Sequence, residues 1–109
     1  MRTVSYKSRI KVSKGDLESA KVGRKTCTIR AGTPTVSEGE IDLTDGASST
    51  RVRIVKVERK AFGQLGEREI RGEGFETLDE LKSDLRRYYP SLVQDSPITV
   101  IWFELAPES

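Results

Sequence analysis

The chain has 109 residues, 35% hydrophobic and 33% charged, with a formal net charge of +2. That is enough for one domain, residues 1–109, with a modest core and a highly charged surface. With no histidine and one cysteine, the chain is excluded from Ser-His-Asp and Cys-His catalysis, from zinc sites built on histidine or several thiolates, and from an internal disulfide.

No apolar run approaches the ~20 residues of a membrane span. The alternating start, MRTVSYKSRIKV, does not read as a signal peptide. A lone cysteine fits a reducing cytoplasm. The expectation is a cytoplasmic monomer without metal, cofactor or membrane partner. Charge is unevenly placed: residues 1–60 carry 14 Lys/Arg against 7 Asp/Glu, and residues 61–109 carry 5 against 10. This predicts one positive face, unless the two halves interleave in space.

Taken in chain order, Val4, Tyr6, Ile10 and Val12 alternate with Lys7, Arg9 and Lys11, as in a half-buried strand with a cationic edge. Ser13 and Asp16 have capping-box spacing, predicting a short helix over 16–22 with Leu17, Ala20 and Lys21 on its inner side. Gly23 suits its C-terminal stop. Next comes GRKTCTIR, residues 23–30. As a strand it would place Thr26, Thr28 and Arg30 on one face, and Cys27 and Ile29 on the other, apolar face.

Ile41 and Leu43 mark a short strand, and residues 45–49, DGASS, mark a hairpin loop. Residues 51–60 form the longest strand. Val52 and Ile54 face one way and Val55 and Val57 the other, a phase change that predicts a β-bulge and strong curvature. Residues 62–74, with four glycines, read as a loop with at most one helical turn. Thr77 and Glu80 form a capping box opening a long helix, with Leu78, Leu81, Leu85 and Tyr88 as its apolar stripe and Pro90 as its stop. Residues 98–105, ITVIWFEL, are apolar on both faces, as in a central strand, and the last four residues read as a tail.

Too few helices alternate with strands for a doubly wound parallel sheet. The expected class is α+β: a small curved or closed mixed barrel of five or six strands, with a short and a longer helix at its side.

Two blocks in this order, GRKTCTIR after a short helix and EGFETLDELKSDLRRYYP followed by ITVIWFEL, resemble the ASCH family of the PUA-like β-barrel superfamily. A middle segment, SEGEI at 37–41, resembles the family's turn into a strand, with Glu40 in place of its usual Asp. The resemblance covers nearly the whole chain. It implies a PUA-like barrel that recognises RNA or a modified nucleoside. Some bacterial members are similar small amidohydrolases that deacetylate N4-acetylcytidine with a lysine, a threonine and a glutamate. By motif these fall on Lys25, Thr28 and, with a one-residue gap before the long helix, Glu73.

Two classes of function stay open at this stage, with a structural interaction protein third. In a binding module, Arg24, Arg30 and Thr26 would contact ligand and Tyr89, off the helical stripe, would stack on a base. Phe75, Trp102 and Tyr88 suit core packing better, and Cys27 suits a packed thiol. In an amidohydrolase, Lys25 of lowered pKa would deprotonate Thr28, and Glu73 would carry a proton to the leaving amine. Lys25 and Thr28 are three positions apart, so they converge only if Lys25 lies in the turn before the strand. The glycines around Glu73, at 72 and 74, would let the backbone approach the pocket.

Overall fold

The computed structural model describes residues 5–107; Val4 and the last two residues of the tail lie outside the described residues. The alternating N-terminal segment forms two short strands rather than one, β1 (Ser5–Tyr6) and β2 (Arg9–Lys11). Ile10 and Val12 are buried, while Arg9 and Lys11 are exposed. Ser13 caps α1 (Lys14–Lys21), its Oγ accepting from the Asp16 backbone N–H at 3.1 Å. Leu17 and Ala20 face the core, but Lys21 is exposed. Gly23, at φ 81°, takes the left-handed conformation that lets the chain leave the helix.

β3 (Cys27–Ala31), β4 (Thr35–Val36), β5 (Gly39–Thr44), β6 (Ser49–Ala61) and β7 (Pro97–Leu105) complete the strands. The main sheet has the order β2-β5-β6-β7-β3, with β2 parallel to β5 and the other pairs antiparallel. β1 and β4 form a separate parallel pair. In β6 the register against β7 shifts between Ile54 and Lys56, leaving Val55 unpaired and 54% exposed. That bulge absorbs the phase change of the apolar positions and bends the strand.

The result is a five-stranded sheet curled into a half-barrel. Its two edges, β2 and β3, are tied by a side chain: Arg30 Nη2 donates to the Lys11 carbonyl at 2.8 Å.

β7 is buried on both faces. Ile101 and Phe103 join Ile10, Leu17, Leu43 and Val52 in one core, while Ile98 and Val100 join Cys27, Phe62, Ile70, Leu81 and Leu85 in a second. The second core corrects one expectation. Residues 62–74 are not a loop: after a 3-10 turn at Phe62–Gln64 they form a two-turn helix, α2 (Glu67–Glu73). Local propensity argues against helix here, but tertiary burial of Ile70 outweighs it. Glu69 also reaches back to accept from the Gly66 N–H at 2.8 Å, and Lys60 donates to Glu69 at 3.3 Å.

Gly72 lies against Cys27 and Trp102, where a Cβ would come within 2.7 Å of both side chains. α3 (Leu78–Tyr88) begins at the Thr77 cap, whose Oγ accepts from the Glu80 N–H at 3.2 Å. No described helix is long and apolar enough to cross a membrane.

Candidate active site

Lys25 lies in the turn between α1 and β3, outside the strand's alternation, and three backbone contacts fix it there. The Lys25 N–H donates to the Ser19 carbonyl of α1 at 3.2 Å. The neighbouring Thr26 N–H donates to the Gly72 carbonyl of α2 at 2.7 Å, and the Thr26 carbonyl accepts from Phe103 of β7 at 3.0 Å. The turn is thus joined to two helices and to β7.

Glu73 is the last residue of α2, not a loop residue. Gly74 follows at φ 82°, ends the helix, and passes close enough to the Arg24 carbonyl that a Cβ would sit 3.4 Å from it. Gly72 and Gly74 therefore serve α2's packing and termination, and this docking delivers Glu73 to Lys25. The two side chains form an ion pair, 2% and 5% exposed respectively. A carboxylate is unfavourable at a helix C-terminus, and the Lys25 ammonium offsets it.

Lys25, Thr28 and Glu73 line one cavity of about 420 Å³, walled by β2 and the start of α1 on one side and by α3 on the other. Thr28 is only 4% exposed, so β3 is buried on both faces rather than solvated on its hydroxyl side. Arg30 also lines the cavity, and its Nη2 donates to Thr28 Oγ1 at 3.2 Å. Among the described residues its Nε is buried without a hydrogen-bond partner, and its guanidinium lies over the Tyr6 ring, 5.5 Å from the centroid.

Burial pushes the Lys25 ammonium below its ordinary pKa of 10.5; the charges of Asp16 and Asp84 oppose this and Arg30 adds to it. The Glu73 carboxylate in contact favours the protonated lysine. Burial also pushes the Cys27 thiol up to about 12, which makes it a packed, unreactive group.

The remaining sequence candidates divide. Tyr89 is half-buried against the second core and lines the cavity. Tyr88, expected in the core, is 57% exposed and lines the cavity as well. Arg24 and Thr26 are exposed and outside the cavity lining, because the turn points them away from the pocket. Trp102 serves packing: its Nε1 donates to Glu58 at 2.6 Å.

The positive face is partly neutralised, since the two halves of the chain do interleave. Arg53 pairs with Glu104 at 3.5 Å and Lys60 with Glu69 at 3.3 Å across the two halves, and within the first half Arg51 meets Asp42 at 3.1 Å.

Two lining carboxylates, Asp16 and Asp84, escaped the sequence reading. In the sequence Asp16 reads only as part of a cap. Asp84 lies three residues from Leu81 and four from Tyr88, so a polar residue beside the apolar stripe was the available signal.

The sequence matches no protein-family model and no curated protein. Solved structures do match. The ASCH domain of Lactobacillus crispatus JV V101 superimposes with a TM-score of 0.79 at 14% identity, over 92% of this chain and 79% of that one. A protein of Enterococcus faecalis V583 gives 0.62 at 22% identity, over 97% and 77% of the respective chains. A mutant ASCH protein of Zymomonas mobilis gives 0.68 at 14%, over 90% and 67%. The chain therefore has the ASCH, PUA-like fold: an α+β half-barrel with helices at its side.

Proposed function

We propose that the cavity takes a modified cytidine nucleoside and that Lys25, Thr28 and Glu73 hydrolyse its N4-acetyl amide. The observation that carries this reading is the buried Lys25–Glu73 pair in the same pocket as the Thr28 hydroxyl. The volume of about 420 Å³ falls in the range of small-ligand sites and is too confined for a duplex.

In the reactive state the pair's proton lies on Glu73 and Lys25 is a neutral amine. Lys25 takes the Thr28 proton as Thr28 Oγ1 bonds to the acetyl carbon. Arg30, beside Thr28, offers guanidinium donors to the oxyanion. Glu73 gives its proton to N4, the C–N bond breaks, and cytidine leaves. Water then loses a proton to Glu73 and attacks the Thr28 ester. Thr28 recovers its proton from Lys25, and acetic acid departs. Tyr88 and Tyr89 supply aromatic surface for the base at the α3 wall.

The experiment is incubation of purified protein with N4-acetylcytidine, following cytidine release. Release that depends on Lys25 supports the reading. Binding of the nucleoside without release replaces it with a binding module for RNA or a modified nucleoside.

A further inference from the structure

The cavity contains two carboxylates that this chemistry leaves unused, Asp16 on α1 and Asp84 on α3. They come from opposite walls. Among the described residues Asp16's carboxylate makes no ion pair or hydrogen bond; only its backbone N–H is engaged, by Ser13. Among the described residues Asp84 has one ion pair, with Arg87 at 3.5 Å, and that guanidinium is 74% exposed. A solvated pair of this kind neutralises little.

Two of the cavity's three cations are already committed. Lys25 is held by Glu73, and Arg30 Nη2 by the Lys11 carbonyl and Thr28. Lys11 is exposed on its edge strand. An entering phosphate would find no free cluster of cations and would face two negative charges. Neutral groups fare better, since hydroxyls find two acceptors in Asp16 and Asp84.

We infer that Asp16 and Asp84 make this pocket selective for an uncharged nucleoside, accepting hydrogen bonds from its sugar hydroxyls and repelling 5′-phosphorylated forms, RNA strands included. The inference rests on the proposed function of the same pocket. Burial raises the Asp84 pKa and the charge of Asp16 raises it further, against Arg87 and Lys25.

The test compares kcat/KM for N4-acetylcytidine, its 5′-monophosphate and sugar-free N4-acetylcytosine, in the wild type and in Asp16→Asn, Asp84→Asn and the double variant. Thermal melts confirm that each variant is folded. The wild type should favour the nucleoside over the monophosphate by at least about tenfold, the scale of a like-charge penalty in a confined site. The double variant should reduce that ratio to about threefold or less, and should also lower the nucleoside's advantage over N4-acetylcytosine. Equal use of nucleoside and monophosphate by the wild type overturns the inference alone, as does a preference unmoved by either substitution. If none of the three compounds is cleaved or bound in calorimetry, the proposed function fails and this inference fails with it.

Discussion

Lys25, in the turn before β3, and Glu73, at the end of α2, meet as an ion pair whose side chains are 2% and 5% exposed. Neither partner can be removed alone without leaving a buried charge uncompensated. Lys25→Met and Glu73→Leu should each destabilise the fold by about 3–5 kcal/mol. The double variant replaces both charges by apolar groups and should recover most of that loss. Urea unfolding of the four proteins measures the cycle; additive losses in the double variant would mean that the two residues act independently.

Activity should fall at high pH. The reaction needs the pair to hold one proton, on Glu73, while Lys25 is neutral; burial lowers the Lys25 pKa from 10.5, so kcat/KM should drop through an inflection below that value as the pair loses that proton. Lys25→Arg keeps a charge that cannot be titrated in this range and should be inactive across the profile. A pH profile of cytidine release, flat from neutral pH upward or retained in Lys25→Arg, contradicts the assignment of Lys25 as base.

Asp84 gives a stability prediction with the opposite sense to most carboxylates. Its folded-state pKa is raised from 3.8, first by burial and then by Asp16. The folded state therefore holds this proton more tightly than the unfolded chain, and stability falls as pH rises through the window above 3.8. Asp84→Asn should melt at a higher temperature than the wild type near neutral pH. The difference should shrink as the pH drops toward and below 3.8. A variant that melts lower than the wild type at neutral pH refutes this.

Gly72 is needed for close packing, since an added Cβ would lie 2.7 Å from both Cys27 Sγ and the Trp102 ring. Gly72→Ala should cost about 1–3 kcal/mol as an overpacked site. It should also lower activity, because Gly72 precedes Glu73 and its carbonyl accepts from Thr26. Denaturant unfolding with a parallel rate assay checks both effects; a fully stable variant removes the packing argument.

Much of the fold was legible because its signals are local. The Ser13 and Thr77 caps, the Gly23 stop and the bulge near Val55 each follow from short-range patterning, and each appears in the structure. α2 was not legible. Its glycines and charges argue for a loop, and it is helical because Ile70 and Gly72 dock on the second core, a contact between distant segments. The same limit applies to the site. Lys25 and Thr28 stand out within GRKTCTIR, whereas Asp16 and Asp84 become pocket residues only when α1 and α3 face each other across β3. Thr26 precedes β3 and so lies outside the strand alternation that its place in GRKTCTIR suggests.

The measurement closest to the central claim is cytidine release from N4-acetylcytidine by the wild type, Thr28→Ser and Thr28→Ala, all folded by thermal melt. Thr28 is a buried hydroxyl beside Arg30 in the cavity that holds the Lys25–Glu73 pair. If it is the nucleophile, the wild type releases cytidine, Thr28→Ser retains part of the rate, and Thr28→Ala loses at least about a hundredfold. Release by Thr28→Ala at the wild-type rate, or none by the wild type, contradicts the account.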